Sequence, residues 1–197
     1  MFKMFENVVA KEFEERYNSL TLEKQKKLDE MIPSKVQLIK IKRYKEEIKE
    51  GDVFVLQPRE GIYFFGKVIN ANIKHLNNDG FINGNNLVYI YKCKSIRINI
   101  EDFKPNINEL LIKPVIIHES YWRKGLLYTI GNEKVTQEEK DLDYGFYETK
   151  NGQFYKENGE KLSKIPRIKI LNGITTIIGI GVKIEQELII DPYILNF

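Results

Sequence analysis

The chain lacks several features on which secreted, membrane-spanning and catalytic proteins depend. Its 197 residues include one cysteine, Cys93, so no disulfide can form within the chain. Only two histidines occur, His75 and His118. The longest apolar run, residues 174–182, is much shorter than the roughly 20 residues that a membrane helix needs. These shortages favour a protein without disulfides or membrane spans.

The net charge and the N-terminal residues narrow the possible location and partners of the protein. There are 31 basic and 28 acidic residues and a net charge of +3, so the field of the whole protein steers weakly toward nucleic acid. The first residues include charged side chains and lack the apolar segment that a signal peptide contains. We therefore expect a cytoplasmic protein with no membrane association.

Catalytic and cofactor motifs are also missing. The sequence contains no HExxH, GxSxG, P-loop or CxxC pattern, and the glycines at 179–181 are interpreted as strand residues. His118 and Glu119 are neighbours on a predicted strand, so their side chains point to opposite faces. Cys93 alternates with tyrosines and is predicted to pack on a sheet face. We expect no catalysis, no cofactor and no metal, with an enzyme using His118 or Cys93 as a remaining alternative.

The most informative segment that is present is residues 51–69. Two apolar runs rich in aromatic and β-branched residues flank the turn at 58–61, which contains Pro58 and Gly61. This pattern predicts an antiparallel hairpin. Gly66 lies inside the second strand and predicts a bulge or bend of the kind that curves a sheet toward a barrel.

The rest of the chain divides into a helical start and a β region. Apolar residues at spacings of three and four predict helix over 2–32, with Thr21 as the cap of a second helix and Pro33 as its end. From residue 35 the period changes to two, which predicts a first strand over 35–42, and further short strands alternate with turn dipeptides. The predicted fold is mainly β (a β-rich α+β protein): an antiparallel curved sheet or partly open barrel after a short N-terminal helical hairpin. We expect an extension over 1–33 and a β domain over 34–197, and strands are predicted at 87–94, 112–120, 125–130, 143–149, 154–155, 168–171, 175–180 and 187–190.

One cluster has the composition of a binding surface. Tyr121, Trp122 and Arg123 are the residue types that dominate interface hot spots, and Tyr63 and Tyr128 are further candidates for contact with a partner. A core position for the single tryptophan is the competing interpretation.

The resemblance to a known family rests on two motifs. Residues 51–54, Gly-Asp-Val-Phe, and 61–68, Gly-Ile-Tyr-Phe-Phe-Gly-Lys-Val, are similar to the opening of the immunity protein 26 family of bacterial polymorphic toxin systems. Residues 125–132, Gly-Leu-Leu-Tyr-Thr-Ile-Gly-Asn, resemble that family's strand ending in Ile-Gly-Asn. The resemblance covers roughly residues 50–192, although Trp122 lies upstream of the position where the family often has a tryptophan and Tyr128 lies near that position instead.

The resemblance implies a non-catalytic protein that binds and neutralises a toxin of the same cell by surface complementarity. The expected partner is that cognate toxin, and a homodimer through the N-terminal helices is a further alternative. Nucleic acid is not expected as a partner, but a nucleic-acid-binding SH3-like barrel remains the second hypothesis. That module would use the basic residues Lys40, Lys42, Arg43, Lys92, Lys94 and Arg97 with Tyr44.

Overall fold

A computed structural model describes residues 7–196 of the chain. Within this range lie five α-helices and nine strands. The helices are α1 (Val8–Asn18), α2 (Leu22–Asp29), α3 (Ser120–Arg123), α4 (Gln137–Lys140) and α5 (Gly179–Ile190). The strands are β1 (Asp52–Arg59), β2 (Ile62–Asn70), β3 (Asn86–Ser95), β4 (Leu110–Ile117), β5 (Leu127–Asn132), β6 (Tyr144–Glu148), β7 (Gln153–Tyr155), β8 (Ile168–Leu171) and β9 (Ile174–Thr175). The prediction of a mainly β protein after a helical start is confirmed.

The two N-terminal helices begin at capping residues. The side chain of Asn7 accepts hydrogen bonds from the backbone amides of Val9 and Ala10, and that of Thr21 accepts one from the amide of Lys24. Such side-chain acceptors satisfy amides that have no partner inside the helix. The predicted cap at Thr21 is therefore confirmed, whereas the helical positions predicted before residue 7 lie outside the described residues.

The predicted hairpin of residues 51–69 is present as β1 and β2 and forms the centre of a six-stranded sheet. Its strand order is β5-β1-β2-β3-β4-β9, with only β4 and β9 parallel, and the sheet does not close into a barrel. The pairing of β2 with β3 is irregular between Phe64 and Gly66, where a bulge was predicted. A side chain at Gly66 would overlap the ring of Phe54 and the carbonyl of Tyr89, so the neighbouring strands require a glycine there.

The two faces of this sheet carry separate apolar clusters. In β3, Val88 and Ile90 pack on one face while Tyr89 and Tyr91 pack on the other, as the alternation predicts. The first face is covered by α3, α5 and the short 3-10 turn Pro192–Leu195. The second face is covered in part by a three-stranded sheet in the order β7-β6-β8. The core is thus a layered packing around a central sheet.

Three strand predictions are wrong. Residues 35–42 contain a single bridge, between Ile39 and Gln57, instead of a strand. Residues 175–180 are strand only at Thr175, and 187–190 belong to α5, which begins at the Gly179 that was interpreted as a strand glycine. The sequence does carry a helical signal here, because Ile180, Ile184 and Leu188 recur every four residues and are all buried on one helix face. The run of β-branched residues before them obscured this signal.

Candidate interaction surface

The aromatic residues of the 121–123 cluster are core residues. Tyr121 and Trp122 are each 1% exposed. The indole Nε1 donates to Thr129 Oγ1 at 3.1 Å, and the Trp122 ring meets Phe54 edge to face with centroids 5.2 Å apart. The hydroxyl of Tyr121 donates to the carbonyl of Thr176. These positions do not support the expectation that Tyr121 and Trp122 contact a partner, and they agree with the alternative core interpretation of the tryptophan.

Arg123 and Tyr128 lie on the outside, at the β5 edge of the six-stranded sheet. Arg123 is exposed and pairs with Glu119 at 2.8 Å. Tyr128 is half-buried in β5, and its ring meets Tyr44 edge to face at 6.2 Å while Lys42 Nζ lies 5.5 Å above it. The segment that carries Lys42 and Tyr44 is held against the start of β5 by backbone bonds, including one from the amide of Tyr44 to the carbonyl of Trp122.

Tyr63 belongs to the same face of the sheet as Tyr128. Val55 of β1 is paired with Phe65 of β2 on one side and with Tyr128 of β5 on the other, and Tyr63 lies two residues from Phe65. Residues two apart on a strand share a face. Tyr63 is half-buried and lies two strands from Tyr128, about 10 Å across the sheet and a further two residues along it. We call Lys42, Tyr44, Tyr63, Arg123 and Tyr128 together the tyrosine surface. Arg123 belongs to α3 on the other face and joins this surface at the β5 edge, where the amide of Tyr44 donates to the carbonyl of Trp122.

Acidic residues surround the basic segment of the nucleic-acid hypothesis. A shallow depression of 660 Å³ beside β5 is lined by one lysine and by four acidic side chains, Glu46, Glu47, Glu50 and Asp52. The remaining basic candidates lie apart on β3 and after it, where Arg97 pairs with Asp102 at 2.8 Å. A continuous basic stripe, which phosphate binding favours, is therefore interrupted at this edge.

The histidines and the cysteine have local structural contacts. The exposed His118 accepts a bond at Nδ1 from the amide of Ser120, at the start of α3. His75 accepts one at Nδ1 from the amide of Asn77, inside a loop. Cys93 Sγ donates to the carbonyl of Asp102 and accepts from the amide of Lys104, and burial is the main cause that raises the pKa of its thiol. A raised pKa lowers the fraction of reactive thiolate.

A buried ion pair is the polar feature that the sequence analysis missed. Lys67 of β2 and Glu139 of α4 have side chains 1% and 4% exposed, and Lys67 Nζ lies 3.0 Å from Glu139 Oε2. The carboxylate also accepts from the hydroxyl of Tyr91 at 2.6 Å and from the amide of Thr136 at 2.7 Å. Burial alone raises the pKa of Glu139, but these three donors together hold it below its ordinary value. A reciprocal cap between Thr136 and Glu139 was the signal in the sequence.

The contacts of this cluster are typical of a structural ion pair and not of a catalytic site. Lys67 Nζ donates to the carbonyl of Lys134 as well as to the carboxylate, so both charges have hydrogen-bond partners. Within residues 7–196 no three His, Cys, Asp or Glu side chains are grouped so that they could hold a metal ion. In the same range no helix has the length and apolar character needed to cross a bilayer.

Comparison with known proteins places the chain in a family. The family model described as Immunity protein 26 matches residues 49–155, which is more than half of the chain and includes all strands from β1 to β7. No curated protein and no solved structure matches the chain. The matched residues contain both motifs on which the resemblance rested and the buried pair of Lys67 and Glu139. The chain belongs to the immunity protein 26 family.

Proposed function

We propose that this protein is an immunity protein that binds a cognate bacterial toxin and neutralises it by protein–protein contact, without catalysis. The observation that carries the proposal is the family match over residues 49–155. The raised pKa of the Cys93 thiol also disfavours a nucleophilic role for that residue. The cytoplasm is the compartment in which such a protein would meet a toxin made by the same cell.

The tyrosine surface is the proposed contact region. Tyrosine and arginine are enriched among residues that dominate binding energy, and half-buried rings present a large area at a low entropic cost. Arg123 is exposed, and Tyr128 is flanked by Tyr44 and Lys42. The neighbouring depression with four acidic residues would suit a toxin face that is basic around an apolar centre.

Co-expression tests the function. A candidate toxin encoded beside this protein is expressed with and without it, and growth and co-purification are measured. We expect growth to be restored only when the protein is present and a complex to be recovered. If the toxin kills equally in both cases and no complex forms, the proposed function is wrong.

Substitutions then test the surface separately. Tyr128→Ala and Arg123→Ala are each expected to weaken the complex about 10-fold or more, as hot-spot truncations do. Tyr193→Ala and Arg167→Ala remove the same residue types from exposed positions elsewhere and should leave binding unchanged. If the unsubstituted protein binds the toxin and the variants at positions 123 and 128 bind equally well, the surface is wrong while the function stands.

A further inference from the structure

A groove lies at the end of the six-stranded sheet opposite to the tyrosine surface. It has a volume of 560 Å³ and is lined by α1, β4, β8, β9 and α5. Cavities of about 300–1,000 Å³ with apolar linings and a few polar groups are typical ligand sites. Its apolar lining includes Val9, Phe13, Phe146, Ile170, Ile174 and Ile190.

Helix α1 forms one wall of this groove and is tied to the walls around it. Arg16 makes a two-pronged ion pair with Glu187 of α5, at 2.7 and 2.6 Å. Glu12 accepts from Lys113 of β4 at 2.5 Å and from Lys169 of β8 at 3.1 Å. These pairs hold α1 beside β4, β8 and α5, so elements of this chain enclose the groove on several sides, and its volume suits a small molecule.

The charges that line the groove do not balance. Four cationic side chains, Arg16, Lys113, Lys169 and Lys183, face two carboxylates, Glu12 and Glu187. Within residues 7–196, Lys183 has no ion pair or hydrogen bond from its ammonium group, whereas the other three cations are paired. The side chain is open to solvent in the groove, yet surrounding protein lowers the pKa of Lys183 by desolvation, and Lys113 lowers it further. An anion beside Lys183 would offset both effects, because its opposite charge favours the protonated ammonium.

We propose that the groove binds a small amphiphilic carboxylate, with its carboxylate on Lys183 and its hydrocarbon chain along the apolar lining. Charge complementarity selects the anion, and the apolar lining selects a chain that gains by leaving water. The volume of the groove favours a small molecule with a flexible chain over a protein surface. The groove is separate from the proposed toxin surface, because its walls lie at the far edge of the sheet from Tyr128.

Titration of the full chain with dodecanoate, below its micelle-forming concentration, tests the site. Calorimetry should show saturable binding of one molecule per chain, and dodecyltrimethylammonium, which carries the same tail with the opposite charge, should not bind. Lys183→Met keeps the apolar stem and removes the charge, and we expect it to bind dodecanoate at least 10-fold more weakly. Lys183→Arg should retain binding.

Two matched variants complete the test. Lys124→Met removes an exposed lysine near the other edge of the sheet and should bind like the unsubstituted chain. Val9 lines the groove and belongs to α1, which has no buried residue. Val9→Trp should therefore occupy part of the groove and reduce dodecanoate binding without unfolding the chain. Absence of dodecanoate binding, equal binding by Lys183→Met, or tighter binding of a short peptide of alternating leucine and glutamate would each overturn the proposal.

Discussion

The central sheet and the N-terminal helices are stabilised by different interactions. Both faces of the sheet are packed with fully buried side chains, and the ion pair of Lys67 with Glu139 is almost inaccessible to water. Helices α1 and α2 have no buried residue, and charged side chains such as Arg16 tie them to the body. Burial of apolar surface is the larger stabilising term, whereas exposed ion pairs contribute little.

The family match covers the hairpin and the buried pair and leaves out the N-terminal helices. The matched residues 49–155 include both strands of the hairpin and the buried pair, while α1, α2, β8, β9 and α5 lie outside them. The groove is therefore built mainly from elements beyond the matched region. We infer that removal of α1, which lines the groove and has no buried residue, would disrupt the groove and leave the central sheet folded.

The largest expected effect follows from breaking the buried pair. Glu139→Gln would leave the ammonium of Lys67 buried without a countercharge, which costs about 3–5 kcal/mol. Chemical denaturation should show this loss in the free energy of unfolding. Glu138→Gln, a neighbouring exposed change, should have no measurable effect.

A double variant distinguishes the pair's charge from its packing. Lys67→Met with Glu139→Leu replaces both ions by apolar groups of similar size, and buried pairs replaced in this way often lose little stability. We expect the double variant to be more stable than Glu139→Gln alone. If it is less stable, the hydrogen bonds from Tyr91 and Thr136 to the carboxylate matter more than the paired charges.

The same carboxylate predicts a dependence of stability on acid. The pKa of Glu139 is lower in the folded chain than its ordinary value, so the unfolded chain binds more protons as the pH falls. The stabilisation is fully present above the unfolded pKa of about 4.3 and is lost as the pH falls through the folded pKa. Denaturation at a series of pH values should therefore show a flatter acid limb for the double variant than for the unsubstituted chain. Equal slopes would contradict the prediction.

Local patterns were sufficient to predict the parts of the fold that they determine. The hairpin, the bulge at Gly66 and the alternation along β3 depend on residues close in sequence, and all three are present. Helix α5 was mistaken for strand because isoleucine and valine favour strands, while its packing on the sheet decides the outcome. At 172–173, an Asn-Gly turn joins strands of two different sheets and closes no hairpin, which local chemistry alone does not reveal.

The residues of a contact surface were harder to predict than the fold. Residue type selected Tyr121, Trp122, Arg123, Tyr63 and Tyr128, but it cannot distinguish a core aromatic residue from an exposed one. Contacts distant in sequence buried the first two, through Phe54 and Thr176. The pairing of Lys67 with Glu139 joins residues 72 positions apart, so no sequence window could contain both.

A single substitution in the N-terminal helices should increase the local opening of α1 more than it lowers the free energy of unfolding of the whole chain. The Arg16 and Glu187 side chains are 45% and 23% exposed, so solvent screens their attraction, and we expect their pair to contribute about 0.2–1 kcal/mol. Arg16→Met should speed amide hydrogen exchange in α1, as should 1 M salt with the unsubstituted chain, while exchange in β1–β3 stays unchanged. Lys27→Met breaks a pair of similar length within α2, Lys27 with Glu23, and should leave α1 protected. If Arg16→Met instead lowers the free energy of unfolding of the whole chain by several kcal/mol, the helices are part of the cooperative core, and the contrast with the sheet fails.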